Sequence, residues 1–334
     1  MIELVHVGLG PLGQKMVKSA LNRGVFRIVG AVDTDAAKVG RDLGDLCGTE
    51  RLGITVAGSL DEALRDRAAQ VAVVTTVSGL AALEPQVAEL ARAGLHVVST
   101  CEELSYPWRQ QPDLAKRIDG ICQAAGITCV GTGVNPGYLM DFLPATLTCL
   151  CQKVTGIRVS RVQDASIRRV PFQQKIGAGL TPEQFEAKRK KGTLRHVGLP
   201  ESVDFIAAAL GWKLDRTTES LDPVMAEQEV TSGYKPIAKG MARGVHQVGR
   251  GFIGDEEVIT LTFRAAVGEP EVYDEVVVEG DPAFTSRIAG GINGDIATCA
   301  VTLNTVRAAL TAEPGLKTMA ELRAPSWFAA SHDE

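Results

Sequence analysis

Two adjacent glutamates, Glu102 and Glu103, follow a short apolar run at 96–99 and are the side chains best suited to do chemistry. Ligands of open α/β sheets bind beyond the carboxyl ends of the strands, where these side chains would stand. A buried carboxylate is costly unless a cation accompanies it, and a protonated amine or an iminium is such a cation. The alternative is that both glutamates cap the following turn or face solvent. Successive residues of an extended chain point oppositely, so we expect one glutamate to face a ligand and favour Glu102, which is nearer the strand.

A glycine-rich turn near the start of the chain predicts a cofactor. The apolar run 4–7 leads into this turn, a helix-favouring segment follows at 14–21, and a second apolar run covers 26–32. In this context the turn is a dinucleotide-binding fingerprint. Its first glycine allows a tight turn, its second lets the backbone approach a pyrophosphate, and its third lets the helix pack on the strand. Free N–H groups at the helix N-terminus then face the phosphates. The expected contacts are Gly8, Leu9, Gly10, Pro11, Leu12 and Gly13.

The acidic residue after the second apolar run bears on the choice of cofactor. Asp33 can accept hydrogen bonds from a ribose diol and would repel a 2′-phosphate, which favours NAD. Lys38 and Arg41 lie near enough in sequence to keep NADP open. The predicted cofactor is therefore NAD or NADP, with NAD favoured.

Further cofactor contacts are expected where later strands end. The small polar stretch 75–79 follows the fourth strand and would lie along the ribose and nicotinamide. The stretch 131–137 follows the sixth strand, and its Asn135 could hydrogen-bond the carboxamide or the substrate. The alternative role of this stretch is a hinge between domains, and the two roles are compatible. The predicted contacts are Thr75, Thr76, Val77, Cys101 and Asn135.

The substrate pocket is predicted from polar and aromatic residues in the rest of the chain. The stretch 161–169 concentrates polar groups at a strand end and could face the substrate, a partner subunit or solvent. His196 lies in a loop, although a lone histidine is more often structural, and Tyr138 is alternatively a core residue. Thr298, one turn into the final helix, would form a wall of the pocket. The pocket candidates are Asn135, Pro136, Tyr138, Arg161, Gln163, Arg168, His196 and Thr298.

Strand and helix signals alternate through the first part of the chain. This alternation predicts an α/β fold whose first domain is a doubly wound parallel sheet of the Rossmann type. After residue 137 the pattern changes to the apolar–polar alternation of half-buried antiparallel strands, at 154–163 and 257–280. Predicted strands are 4–7, 27–32, 54–57, 71–75, 96–99 and 127–130, and predicted helices lie near 11–23, 35–45, 59–67, 79–94 and 111–125. The domains expected are a nucleotide-binding domain 1–137, an α+β substrate and dimerisation domain 138–290, and a final helix and tail 291–334 that return to the cleft.

Bulk composition excludes several classes of protein. A chain of 334 residues suits two domains, and a net charge of −5 argues against nucleic acid or an anionic membrane as partner. The seven cysteines form no CxxC pair or metal-ligand spacing, so we expect reduced thiols, no metal and a cytoplasmic protein. Met1 leads almost directly into the first strand, which leaves no room for a signal peptide.

Several segments resemble 2,4-diaminopentanoate dehydrogenase and the related native amine dehydrogenases, within the dihydrodipicolinate-reductase-like oxidoreductases. The resemblance implies NAD(P)-dependent oxidative deamination of an amine and, in reverse, reductive amination of a ketone by ammonia. It also implies a homodimer, an active site between domains, and a glutamate of the 102–103 pair that binds the reacting amine. The segments that carry it are 100–107, 131–141, 179–186, 198–212 and 313–319.

One segment departs from the diaminopentanoate enzymes. Residues 162–172 look closer to the native amine dehydrogenases, which act on simple ketones and amines. The favoured substrate is therefore a small amine or ketone, although Arg168 and Arg169 could still bind the carboxylate of a diamino acid. A regulatory protein that binds a nucleotide without catalysis is the further alternative.

Overall fold

The computed structural model describes residues 1–168, 170–194 and 196–329, so Arg169 lies outside the described residues. The chain divides into two units. The first comprises Met1–Tyr138 and Asn293–Glu334, and the second comprises Leu139–Ile292. No helix in the described part of the chain is long and apolar enough to cross a membrane.

The first unit contains a parallel sheet whose strands are short and almost wholly apolar. Neighbouring strands pair in the order β3-β2-β1-β4-β5-β6, and every pair is parallel. The order reverses between β1 and β4, which is the point where such sheets bind ligands. The predicted doubly wound α/β fold is confirmed. The strands are β1 (Ile2–Val7), β2 (Phe26–Val32), β3 (Val56–Ala57), β4 (Val71–Val74), β5 (His96–Ser99) and β6 (Thr128–Gly131).

Helices connect these strands, and one predicted helix is wrong. The segment expected to be helical at 35–45 is mostly turn, and a helix begins only at Leu43, where the Asp42 carboxylate caps it by accepting hydrogen bonds from the backbone N–H groups of Gly44 and Asp45. A side chain that bonds the first free N–H groups of a helix fixes where the helix starts. The helices are α1 (Pro11–Leu21), α2 (Leu43–Cys47), α3 (Leu60–Ala63), α4 (Leu80–Arg92), α5 (Pro107–Gln110) and α6 (Pro112–Ala125).

The second unit contains a six-stranded mixed sheet in the order β14-β13-β7-β12-β11-β8. Only the β7–β12 pair is parallel. Helix α10 packs on one face, where a side chain added at Gly249 would meet Leu199 and Val203. The strands are β7 (Lys153–Asp164), β8 (Arg216–Met225), β9 (Val230–Thr231), β10 (Pro236–Ile237), β11 (Ala242–Ile253), β12 (Glu256–Ala266), β13 (Tyr273–Asp281) and β14 (Phe284–Ala289). The helices are α7 (Phe142–Leu147), α8 (Val170–Lys175), α9 (Pro182–Lys190) and α10 (Leu199–Ala209).

The carboxyl-terminal part of the chain completes the first unit. Helix α11 (Gly294–Ala309) begins at Asn293, whose side chain accepts hydrogen bonds from the backbone N–H groups of Asp295 and Ile296. It packs beside α1, and Lys15 of α1 reaches Asp295 at 2.5 Å. A short strand, β15 (Gly315–Lys317), then pairs parallel with β6 and becomes the seventh strand of the sheet.

Candidate active site

A cleft of about 650 Å³ lies at the carboxyl ends of β1, β2, β3 and β4 in the first unit. Its position at the reversal of strand order is where a dinucleotide is expected. Most of the predicted cofactor residues meet here. Of the other five, Pro11, Leu12 and Gly13 form the first turn of α1, whereas Cys101 and Asn135 are not among the lining residues of the cleft. The predicted residues that line the cleft are Gly8, Leu9, Gly10, Asp33, Thr75, Thr76 and Val77.

The three glycines of the turn differ in their surroundings. Gly8 has φ +94°, and a side chain there would approach Thr76 Cγ2 to 2.8 Å. A side chain at Gly13 would overlap the carbonyl oxygen of Gly8, so the helix can pack on the turn only with glycine. Gly10 has nothing within 4 Å of an added side chain and therefore borders open space. This arrangement fits a pyrophosphate that approaches the backbone at Gly10.

Asp33 is held rigidly at the cleft. Its carboxylate accepts hydrogen bonds from the backbone N–H groups of Leu9 at 2.7 Å and Asp35 at 2.9 Å, and from Lys38 Nζ at 3.0 Å. Burial tends to raise the pKa of Asp33, but these hydrogen bonds and the Lys38 charge outweigh it, so the pKa is lowered. Lys38 also approaches Asp35 at 3.4 Å, whereas Arg41 is exposed. The carboxylate is therefore ionised and available to a ribose hydroxyl.

The sequence reasoning missed several residues of the cleft, among them Gly58, Ser59 and Gln86. Gly58 and Ser59 follow β3, and Gln86 lies on α4, where its side chain accepts a hydrogen bond from the Thr76 hydroxyl at 2.7 Å. The rule that ligands bind after strand ends would have found Gly58 and Ser59 if it had been applied to the third strand. Gln86 sits in a helix interior, and nothing in the local sequence marks it.

Glu103 and Glu102 open a short 3₁₀ helix after β5 and have different environments. Glu103 Oε2 accepts hydrogen bonds from the backbone N–H of Leu80 at 2.8 Å and from Gln111 Nε2 at 2.7 Å. Its carboxylate thus caps the N-terminus of α4, which lies earlier in the chain, and not the turn that follows the pair. In contrast, among the described residues no group forms a hydrogen bond or ion pair with the half-buried Glu102 carboxylate.

Cys101 precedes the two glutamates, and its side chain is 1% exposed. The thiol donates to the carbonyl oxygen of Ser78 at 3.1 Å, and the Glu103 backbone N–H donates to the same oxygen at 3.2 Å. Burial, together with the charges of Glu102 and Glu103, raises the pKa of the Cys101 thiol to about 12. The thiol therefore stays protonated, and it ties the loop after β5 to the segment that lines the cleft.

The loop 131–137 places Asn135 and Pro136 in a buried setting. Asn135 is 8% exposed, and its Nδ2 atom is buried without a hydrogen-bond partner among the described residues. Thr298 of α11 lies against this loop, because its hydroxyl oxygen accepts the backbone N–H of Val134 at 3.3 Å. Tyr138, the last residue of the first segment of this unit, is half-buried. A buried amide donor without a partner costs about 1–3 kcal/mol and marks a place where a ligand oxygen would fit.

The remaining predicted pocket residues belong to the second unit, and Arg161 among them is fully engaged. Its guanidinium is 3% exposed, lies 2.5 Å from Asp274 Oδ1, and donates to the carbonyl oxygen of Ile292 at 2.9 Å. Burial lowers the pKa of Arg161, and the Asp274 charge opposes that effect. Gln163 is buried on the same strand, near Gly291. The Arg168 guanidinium stacks 4.1 Å from the centre of the Phe172 ring.

His196 lines a small cavity of about 70 Å³ in the second unit. Its ring packs edge-on against Phe263 at 4.5 Å between centroids, and its Nδ1 lies 2.9 Å from the Val197 carbonyl oxygen. An Nδ1–H that donates to this carbonyl leaves Nε2 as a hydrogen-bond acceptor. Burial first, and then the charge of Lys175, lowers the pKa of His196 to about 3, so the ring is neutral. The cavity is lined by Phe172, Lys175, Ile176, His196, Val245 and Phe263.

Gln247 holds the His196 backbone and was not anticipated. Its Oε1 accepts the His196 N–H at 2.8 Å, while its Nε2 donates to the His196 carbonyl at 2.9 Å and to Glu219 Oε1 at 2.6 Å. Gln247 is fully buried on β11, 51 residues away in sequence. Only the folded register of β11 brings the two together, so no local signal could have identified it. Within the described residues, no cluster of histidine, cysteine or acidic side chains could hold a metal ion.

Comparison with known proteins identifies relatives of this chain. Residues 138–334 match the family model of the 2,4-diaminopentanoate dehydrogenase C-terminal domain. The chain is 30% identical over 333 residues to 2,4-diaminopentanoate dehydrogenase of Acetoanaerobium sticklandii, spanning 97% of this chain and 94% of that protein. It is 26% identical over 238 residues to an amine dehydrogenase of Streptomyces virginiae, spanning 70% and 66% of the two chains.

A solved structure shares the whole fold. An amine dehydrogenase from Mycobacterium smegmatis matches with a TM-score of 0.85 at 23% identity, covering 98% of this chain and 97% of that chain. The family resemblance predicted from the sequence is thereby confirmed. The family model, with the 30% identity over nearly the full length, shows that the chain belongs to the 2,4-diaminopentanoate dehydrogenase family.

Proposed function

We propose that the protein is a NAD(P)-dependent amine dehydrogenase that interconverts a small primary amine with its ketone and ammonia. Its family makes it an oxidoreductase that acts on CH–NH₂ groups with a nicotinamide cofactor. One observation carries the assignment to particular residues. The Glu102 carboxylate has no partner among the described residues, and its loop is bonded through Ser78 to the segment that lines the dinucleotide cleft.

Glu102 is the group proposed to handle the substrate nitrogen. A nicotinamide bound at the cleft supplies the site that takes or gives the hydride at the amine carbon. In the deamination direction the Glu102 carboxylate removes one proton from the ammonium and passes it to solvent, so that it is ionised again when it pairs with the iminium that hydride loss leaves. Water adds to the iminium carbon, and the C–N bond breaks to give ketone and ammonium. An unpartnered carboxylate suits this work because a cation at that point would relieve the cost of burying its charge.

Glu103 is proposed to hold the start of α4 in position rather than to react with the substrate. Its carboxylate is occupied by Leu80 and Gln111, and it caps the helix that follows the segment 75–79. Asn135 is proposed to donate through Nδ2 to the nicotinamide carboxamide or to the substrate, because no described residue accepts from that donor. The roles proposed for Glu102 and Glu103 agree with the sequence prediction that one glutamate of the pair faces the ligand.

NAD is the proposed cofactor. Asp33 and Asp35 surround Lys38, so the net charge of the three side chains is −1 at neutral pH. Lys38 is therefore already engaged at the point where a 2′-phosphate would need a cation. The residual negative charge opposes that phosphate, whereas a ribose diol can donate to Asp33.

The proposed substrate is a small amine with an apolar chain. In the second unit, Phe172, Ile176, Val245 and Phe263 give the cavity beside His196 an apolar wall. A diamino acid is the second candidate, because Lys175 lines the same cavity and would pair with a carboxylate. In this proposal the first unit binds the cofactor and the second unit selects the substrate.

A homodimer is also proposed. The face of the six-stranded sheet opposite α10 carries His246, which is half-buried. His246 Nδ1 is buried without a partner among the described residues, which suits a face that meets another surface. Light scattering during size-exclusion chromatography measures the assembly. A monomeric mass at micromolar concentration would exclude this part of the proposal.

A spectrophotometric screen tests the activity. Purified protein is mixed with ammonia, NADH or NADPH, and a panel of small ketones and keto acids, and loss of the 340 nm absorbance is followed. Turnover that requires ammonia is the expected result, and consumption without ammonia would point to another reductase. Glu102→Gln should lower kcat by about 10²–10⁴ with cofactor affinity unchanged. Glu103→Gln is the matched variant, and a larger kcat loss there would reverse the two roles.

A further inference from the structure

A crevice in the first unit carries positive charge that the dehydrogenase reaction does not use. It has a volume of about 170 Å³ and lies between the last turns of α11 and the segment 323–326. Arg307 and Arg323 line it, together with Asn304, Thr311 and Ser326. A third cation, Arg23, contacts this wall from the end of α1, since its Nη1 donates to Asn304 Oδ1 at 2.6 Å.

No acidic residue of the described ranges neutralises these arginines, since no carboxylate oxygen there lies within 4.0 Å of the guanidinium of Arg23, Arg307 or Arg323. Elsewhere in the protein, Arg158 and Arg287 each meet two glutamates. Like charges that converge without a counter-ion repel one another, so the crevice favours an anion from solution.

The donors of the crevice are fixed in direction. Because Asn304 Oδ1 accepts from Arg23, its Nδ2 is the atom left to donate. Arg307 stacks on the Phe328 ring at 4.7 Å, and Arg23 contacts the same ring at 4.7 Å. A guanidinium that stacks through its face keeps its edge N–H groups for an oxyanion. Arg23 Nη2 also donates to the Phe328 carbonyl at 3.0 Å, which ties this segment to α1.

We propose that this crevice is a second ligand site, specific for a doubly charged oxyanion of the phosphate type. The C-terminal end of α11 opposes an anion with roughly half a negative charge. Two lining cations, with Arg23 behind Asn304, outweigh it. A single carboxylate would leave most of the positive charge unbalanced, so a dianion is preferred. The volume also admits a phosphate monoester.

Binding of inorganic phosphate to the full-length protein tests the site. NADH is present at saturation so that the pyrophosphate-binding turn is filled, and calorimetry is run at constant ionic strength set with sodium chloride. We expect phosphate to bind and acetate to bind at least about tenfold more weakly. Glycerol phosphate that binds more tightly than inorganic phosphate would identify a monoester as the ligand, and the reverse order would identify free phosphate.

Substitutions locate the binding. Arg323→Gln and Arg307→Gln should each raise the phosphate dissociation constant at least about tenfold, the loss expected for one charged hydrogen bond. Arg65→Gln removes the same charge from an exposed site of the first unit and should leave the phosphate dissociation constant unchanged. Arg307 also stacks on Phe328, so its substitution could disturb the fold of this segment. Arg323→Gln breaks no described contact and therefore shows whether the loss of binding is due to the charge alone. Phosphate that binds Arg323→Gln as it binds the unaltered protein, or no better than chloride, overturns the proposal.

Discussion

The dinucleotide cleft of the first unit and the cavity beside His196 in the second unit are positioned by different means. In the cleft, the ends of parallel strands and one glycine turn place backbone groups. In the cavity, Gln247 clamps His196 across 51 residues, and Phe263 packs on its ring from another strand. The comparison shows that a cofactor site built on backbone geometry can be read from a short motif. A substrate cavity built on side chains from separate strands cannot.

The largest expected effect comes from the glycine turn. In Gly13→Ala the new methyl group would overlap the Gly8 carbonyl, and two backbone segments would have to separate. We expect unfolding to become easier by about 3 kcal/mol or more, comparable to severe overpacking, and cofactor binding to be lost. Urea denaturation and NADH fluorescence measure the two quantities.

Gly10→Ala is the matched control for that substitution. Gly10 has φ −66° and open space around an added side chain, so stability should change by less than about 0.5 kcal/mol. Cofactor affinity should nevertheless fall at least about tenfold, because the methyl group enters the space for the pyrophosphate. Equal stability losses in the two variants would show that the turn is not built as described.

The next largest effect tests the cavity in the same way. Gln247→Leu would leave the His196 N–H and carbonyl without their present partner. Each buried group without a partner costs about 1–3 kcal/mol, so we expect a loss of roughly 2–4 kcal/mol after relaxation. The KM for the amine should rise while cofactor affinity stays constant, because the clamp lies in the other unit. Gln152→Leu, at an exposed position, should change neither quantity.

These two regions also show how far the sequence could be read. The fingerprint, Asp33 and the stretch 75–79 were predictable because strand ends and glycine spacing are local properties. The predicted helix at 35–45 was wrong because Asp42 caps a helix that begins only at Leu43, and the cap is held in place by residues 52 and 53, which lie outside that segment. Strand β15 was not predicted, since three residues carry no periodicity and their partner, β6, lies far earlier in the chain.

The same limit applies to the charged candidates. Arg161 is a polar residue at a strand end, which made it a reasonable pocket candidate. The structure gives it Asp274 and the Ile292 carbonyl as partners, and neither is near it in sequence. Glu102 and Glu103 are adjacent and chemically identical, so only their partners in the fold separate them. Sequence types indicate which chemistry is available, and long-range partners decide which group is free to do it.

A smaller effect is expected from acid, and it acts on both regions. Burial lowers the pKa of two histidines. It lowers the pKa of His6, on β1, to about 4 and the pKa of His196 to about 3. A lowered pKa means that the folded protein takes up a proton less readily than the unfolded chain. Stability from these rings is therefore complete above about pH 6.5 and falls as the pH decreases toward the folded values. At pH 5, the titration of His6 alone should make the free energy of unfolding about 2 kcal/mol smaller than at neutral pH.

Substitution isolates that contribution from other titrating groups. His6→Gln keeps a donor for the Gly8 carbonyl, which His6 Nε2 meets at 3.0 Å, but cannot be protonated. The free energy of unfolding is measured for this variant and for the unaltered protein at pH 7.5 and 5. Between these two pH values, the free energy of unfolding of the variant should fall by about 2 kcal/mol less than that of the unaltered protein. His196, whose pKa is also lowered by burial, should show the same direction. An identical pH dependence in variant and parent would contradict the burial argument.

The smallest effect separates the two cofactors. Lys38→Met removes the only positive charge of the Asp33, Asp35 and Lys38 group and takes its net charge from −1 to −2. NADP affinity should fall by about tenfold, near 1.4 kcal/mol, because the 2′-phosphate then meets a second unbalanced carboxylate. NAD affinity should change by less than about threefold, since a ribose hydroxyl carries no charge to repel. Arg41→Met removes the same charge from an exposed side chain near Lys38 in sequence. If both variants weaken NADP equally, the effect is general charge rather than the Lys38–Asp33 pair. If neither does, the acidic end of β2 is not where the cofactors are distinguished.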